Sequence, residues 1–295
     1  MCSLAWSIQG FALTEYVLRS ASVASLLRHR NLALGGSIVL VVLLTGLLAP
    51  LLAPYDPYAQ NLSVAFQSPG FPHIFGTDEY GRDMFSRVLY GARLAQLEIT
   101  VSVGMALVIG VPLGMVSGYL GGATDQVILW LIDLLYAFPG IVLAILIVAI
   151  LGPGLFDSLV AISIFSIPVY TRLARNLTLS LKQIEYVEAA RALGAGTWRI
   201  LFHHILRNAA APILVQATLT AGDVVLTASG LSFLGLGAQP PLAEWGAMMA
   251  DGRNFLGVAT YLTFFPGAAI TLTALGLNLL GDGLRDRLDP RFHPR

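Results

Sequence analysis

The stretch Asn31–Tyr55, NLALGGSIVLVVLLTGLLAPLLAPY, runs 25 residues without a charged side chain. A helix crossing roughly 30 Å of hydrocarbon needs about 20 mostly apolar residues, so this segment reads as a membrane span. The signature recurs. Residues 99–123, 134–156 and 254–281 carry no charge, and 209–237 is apolar apart from Asp223. A shorter uncharged core, Ser158–Thr171, lies between Asp157 and Arg172. It reads as a span over 155–175, with Arg172 snorkelling to the interface. The spans must be helices, because lipid offers no partners to open backbone groups. The expected fold is all-α, a polytopic membrane protein with six transmembrane helices. A membrane domain over 31–283 is flanked by a segment 1–30 and a tail 284–295. I, L, V, F and their like make up the bulk: 56% of residues are hydrophobic and 12% charged, half the charge of a soluble domain at about 25%.

Charge placement sets the orientation. With the N-terminus inside, thirteen of the seventeen basic residues fall in inside segments; only Arg82, Arg87, Arg93 and Arg253 fall outside. That bias predicts both termini on the cytoplasmic side of the membrane. Glu15 and Arg19 interrupt the first apolar stretch, so it does not read as a signal peptide. The net charge is zero and no basic stripe carries interleaved aromatics, which argues against nucleic acid. Cys2 is the only cysteine, so neither an internal disulfide nor a thiolate metal site is expected. The single lysine, Lys182, lies between Leu181 and Gln183, so no Gly-Lys-Ser/Thr phosphate loop exists.

Two connections are long. The outside segment 56–93 contains Pro57, Pro69, Gly70, Pro72 and Gly76 and reads as an irregular loop followed by a helix entering the second span. Thr77 or Asp78 is expected to cap that helix, with Asp83 favourable near its start. The inside segment 176–208 is the polar island. Helix formers run from Glu185 to Leu193, and Gly194 is placed to end that helix in a left-handed conformation. Thr197 is expected to cap a second short helix, through Trp198 to about Leu206. Ala189, Ala190 and Gly194 provide a low surface for close approach, and Glu188 offers a charge to a basic partner. On spacing alone, a solvated amphipathic loop stands equally well.

Glu188-Ala189-Ala190, three residues, then Gly194 resembles the EAA loop of the permease subunits of ATP-binding-cassette (ABC) importers. Leu206 matches the later part of that pattern. His204 departs from it, and Arg207 stands where the family has proline. Other segments resemble the dipeptide/oligopeptide/nickel permeases: Gly76–Asp83, Ala137–Gly140, Leu231–Gly237 with Pro240-Pro241, and Asn278–Asp286. From about residue 28 onward the chain is similar to the second, C-type permease of such systems. The resemblance implies a type I importer permease fold in the inner membrane of a bacterial cell, and a contact between the EAA helix and an ATPase subunit. It implies a second permease, two ATPase subunits and an external substrate-binding protein as partners, besides membrane lipid. ATP and magnesium would sit on the partners, with no cofactor on this chain.

Three carboxylates fall within or near spans: Glu98, Asp133 and Asp223. Such groups are costly at bilayer depth and face the bundle or a water-filled path. Asp223 is the best-placed pathway candidate and Asp133 a second; a structural hydrogen bond is the competing reading for each. Ala106, Gly110, Gly114, Gly118 and Gly122 recur every fourth residue and predict a groove for close helix packing. Pro112 and Pro139 are expected to kink their spans.

An ion-driven transporter would use Asp223 and show inverted repeats; none is evident, and the EAA loop would be unexplained. An intramembrane protease would need Asp223 to meet Asp282, which falls at the inner edge of the last span. Peptides are the cargo that the resemblance favours. Nickel is disfavoured because His73 is the only outside histidine.

Overall fold

The computed structural model describes residues 30–288; the expectations for 1–29 and 289–295 lie outside the described residues. Its helices are α1 (Arg30–Leu52), α2 (Met84–Leu120), α3 (Gly122–Tyr136), α4 (Gly140–Leu151), α5 (Leu155–Leu181), α6 (Glu185–Ala192), α7 (Thr197–Phe233), α8 (Trp245–Gly252) and α9 (Tyr261–Leu288). Five are long and apolar enough to cross a membrane, and α3 with α4, bent by 89°, makes a sixth pass.

Three expectations need correction. The second span and its entry helix are one 37-residue helix, α2, roughly 55 Å at 1.5 Å per residue. Its cap is Asp83, not Thr77 or Asp78. The Asp83 carboxylate accepts from the Ser86 N–H at 2.8 Å and shares a 2.9 Å hydrogen bond with His73 Nδ1. Asp78 is already taken by Arg82, whose Nε donates to it at 2.5 Å. The third pass begins at Gly122 rather than 134, and the kink expected at Pro139 is an 89° break between α3 and α4. Proline lacks an N–H and disfavours helix in the residue before it. Finally, the expected second loop helix is not separate. Thr197 is its first helical residue, not its cap, and the helix continues as α7 through a π-helical turn, Ile200–Ile205.

Small residues decide how closely the helices lie. A Cβ on Gly110 would sit 2.8 Å from the Ile167 carbonyl, and one on Gly118 would sit 2.7 Å from that of Arg175. One on Gly114 would overlap the Thr171 carbonyl. These three glycines therefore seat α2 on the backbone of α5 at four-residue steps, with Ala106 fully buried in the same contact region. Gly122 does not join them. It lies past the end of α2, exposed, with φ +56° and open space around it. Gly35 and Gly283 bring α1 against α9 in the same way.

The α1–α2 connection is tied down rather than loose. The Tyr261 hydroxyl donates to the carbonyls of Gln67 at 3.1 Å and Thr77 at 2.9 Å. Phe75 stacks on Phe265 at 3.8 Å. Arg87, buried, donates to the Pro57 carbonyl at 3.1 Å. Burial pushes the carboxyls of Glu79 and Asp251 up from their ordinary range beside these arginines.

Candidate functional site

The α5–α7 connection is built around α6. Val187 is fully buried and Ala190 nearly so. Burying a valine side chain stabilises by about 1.5–3 kcal/mol, and here it fastens α6 to the start of α7, where Ile200, Leu201 and Ile205 are also buried. A polar clasp adds to this: Asn208 Nδ2 donates to the Tyr186 hydroxyl at 3.0 Å and to the His204 carbonyl at 2.7 Å. Burial pushes the Tyr186 phenol up.

The end of α6 is closed by two hydrogen bonds. The Gly194 N–H donates to the Arg191 carbonyl and the Ala195 N–H to the Ala190 carbonyl, both at 3.0 Å. Gly194 has φ +82°, so the turn is the left-handed closure glycine favours.

What remains faces outward. Glu185, Glu188, Ala189, Gly194 and Trp198 are exposed, and Leu206 is half-buried. Ala190 belongs to the underside, which corrects its expected place on the low surface. Sequence reasoning missed the apolar rim around Glu188: Leu193 is 87% exposed, and Trp198, 65% exposed, stacks on Phe202 at 5.9 Å. Large apolar side chains left outside in a contiguous patch mark a surface that a partner protein or the membrane covers. Their run in the sequence, Leu193 to Phe202, was a signal, but only the docking of α6 shows which side they take.

The carboxylates divide. Glu98 is buried inside the chain, with Oε1 making no hydrogen bond among the described residues, so it faces no open lane. Asp133 accepts from Arg172 Nη2 at 2.6 Å, and Arg172 lies over the Tyr136 ring at 4.1 Å. Asp125, unremarked in the sequence, takes a bidentate pair of 2.6 Å hydrogen bonds from Arg175. Both pairs join α3 to α5. Asp223 is exposed and carries no side-chain hydrogen bond or ion pair among the described residues; only its carbonyl is used, by Thr227. It continues the α7 stripe Pro212, Gln216, Leu219, which lines a hollow of about 420 Å³ with Leu173 and Arg285. Asp282, about one turn before Arg285 in α9, is exposed. Among the described residues no cluster of three or more His, Cys, Asp or Glu is placed to hold a metal.

Comparison with known proteins matches residues 110–294 to the binding-protein-dependent transport system inner membrane component family. Residues 21–69 match the N-terminal transmembrane domain of oligopeptide transport permease C. The chain is 47% identical over 267 residues to the dipeptide transport system permease protein DppC of Alkalihalophilus pseudofirmus, covering 90% of this chain and 88% of that protein. It is 48% identical over 254 residues to the probable D,D-dipeptide transport system permease protein DdpC of Escherichia coli, covering 86% and 85%. It is 43% identical over 298 residues to the glutathione transport system permease protein GsiD of Pectobacterium atrosepticum, covering 97% and 98%. Among solved structures, an inward-facing MetNI methionine ABC transporter chain shares the fold with a TM-score of 0.56 at 19% identity, covering 70% of this chain and 98% of that one.

Proposed function

Because the chain belongs to the binding-protein-dependent transport system inner membrane component family, we propose that it is the permease subunit of an ATP-driven importer whose cargo is a di- or oligopeptide. The cargo class rests on relatives whose names specify dipeptide, D,D-dipeptide and glutathione. The chain is a transport subunit and not an enzyme. It has no phosphate loop, so hydrolysis belongs to two partner ATPases, which bind ATP and magnesium. A second permease completes the path and an external binding protein delivers cargo. The charge bias places both termini inside and the α5–α7 connection in the cytoplasm.

The observation that carries this reading is the α6 surface. Its underside is locked to α7, while Glu185, Glu188, Ala189, Leu193 and Trp198 face outward to meet the ATPase. α7 then runs without a break from Thr197 past Asp223, roughly 40 Å of helix. A push on α6 is thereby delivered to the middle of the membrane as a rigid-body movement. Asp223 and the hollow on its stripe form this chain's share of the lane. Asp133, already held by Arg172, positions α3 instead.

The test is purification of the tagged chain with its second permease and ATPases, followed by uptake of a labelled dipeptide in proteoliposomes supplied with the binding protein. Glu188→Arg is expected to abolish both ATPase recovery and uptake while the permease still inserts. Uptake that proceeds without ATP, or ATPase recovery indifferent to Glu188→Arg, sinks the proposal.

A further inference from the structure

Two hollows share Pro50 at the α1 end that the charge bias puts outside. The upper one, of about 490 Å³, has Pro54, Tyr55, Asp56, Tyr58 and Tyr90 in its wall. The lower, of about 370 Å³, has Gly46, Leu47, Arg93, Gln96 and Leu97. α1 and α2 are antiparallel here, because Gln96 Nε2 donates to the Val42 and Leu43 carbonyls while Arg87 and Tyr90 lie at the level of residues 57–58. The two hollows therefore read as one trough with a fixed axial order: an aromatic and acidic mouth, a cation below it, and an apolar wall below that.

Both charges in the trough are open. Arg93 is exposed and has no hydrogen bond or ion pair among the described residues. Asp56 is exposed too; its Oδ1 accepts the Tyr58 N–H at 2.8 Å, and no cation of the chain reaches it among the described residues. Tyr58 and Tyr90 stand edge to face, with centroids 6.3 Å apart and planes 72° apart. Ring faces beside a carboxylate attract an ammonium group. The trough also lies beside an uncovered apolar face of α1. α1 is the least covered of the five long spans, with 22% of its apolar window buried, and Leu47 and Leu51 on its open face are 70% and 82% exposed. Tyrosines placed just beyond an apolar run belong at the membrane interface.

We propose that this trough is a binding site for one molecule of phosphatidylethanolamine. Its ammonium meets Asp56 and the Tyr58 and Tyr90 rings, its phosphodiester meets Arg93, and an acyl chain lies along Leu47 and Leu97. The order of charges matches the lipid: a zwitterionic headgroup carries its cation farther from the hydrocarbon than its anion. An anionic headgroup without an amine would satisfy Arg93 and leave its outer end against Asp56. A cargo peptide also carries an ammonium, but it has no chain to fill the apolar wall.

The test places the purified full-length chain in phosphatidylcholine nanodiscs with equal added phosphatidylethanolamine or phosphatidylglycerol, and counts retained lipid by native mass spectrometry. Phosphatidylethanolamine is expected to be retained about tenfold more than phosphatidylglycerol, equivalent to about 1.4 kcal/mol. Asp56→Asn removes that preference, and Arg93→Gln lowers retention of both lipids. Equal retention of the two lipids by the unmodified chain overturns the proposal, even if neither variant can be made. So does displacement of the bound lipid by millimolar dipeptide, which would assign the ammonium site to cargo.

Discussion

The N–H of Ala195 donates to the carbonyl of Ala190 at 3.0 Å, so α6 ends in a closed left-handed turn directly beneath its exposed face. Ala190 is buried and Ala189 beside it is exposed. One residue of register therefore separates the side that holds α6 to the permease from the side offered to a partner.

Gly194 makes that turn possible, with φ +82° and open space where a Cβ would point. Gly194→Val is thus expected to act through backbone strain and not through a clash. The cost is about 1–3 kcal/mol, and recovery of the ATPase partners falls. Gly194→Asn, which tolerates the left-handed region, is expected to keep most of it. Co-purification yields for the two variants, at equal permease expression, make the comparison.

Gly114 and Gly104 lie in the same helix and predict opposite outcomes. A Cβ on Gly114 would strike the Thr171 carbonyl and come within 2.9 Å of Ala174 Cβ, whereas one on Gly104 meets nothing within 4 Å. Gly114→Ala is expected to destabilise by about 1–3 kcal/mol through overpacking. Gly104→Ala should leave the melting temperature unchanged or slightly raised. Thermal melts of the purified chain in one detergent decide it.

Asp223 makes no side-chain contact that its loss would break among the described residues. Asp223→Asn is accordingly expected to leave the melting temperature alone. If the carboxylate lines the lane, uptake of a cationic-ended peptide drops by about tenfold, a change of about 1.4 kcal/mol. Unchanged uptake would remove Asp223 from the path.

Burial raises the carboxyls of Glu79 and Asp251 above ordinary values of 4.5 and 3.8. Between those values and the raised ones, the folded chain holds more protons than the unfolded chain. Stability in that window therefore falls as pH rises. Melting curves from about pH 4 upward are expected to slope downward through this window, and Glu79→Gln, which cannot titrate, flattens part of the slope. A slope of the opposite sign would show that the neighbouring Arg82 and Arg87 outweigh burial.

Much of this was legible in the chain. The uncharged run from Asn31 shows α1 because a span is recognised by composition over 20 residues, a local property. The left-handed turn at Gly194 and the glycine groove from Gly110 to Gly118 follow from residue type and period. The N-cap of α2 was not legible. Thr77, Asp78 and Asp83 all suit a cap, and the choice depended on Arg82 taking Asp78 while His73, ten residues before Asp83, joined Asp83. Gly122 kept the four-residue period but fell beyond the helix end, because Gly121 had already turned the chain at φ +67°.

Hydropathy and charge order alone determined that this is a multi-pass helical membrane protein with a polar connection between its fourth and fifth passes. They suffice because the cost of placing a charge or an open backbone group in hydrocarbon is paid residue by residue. Which residues face out of that connection, which carboxylates are already paired, and that α7 reaches unbroken from it into the membrane were decided only in three dimensions. Each depends on what a neighbouring helix, distant in the chain, covers or leaves open.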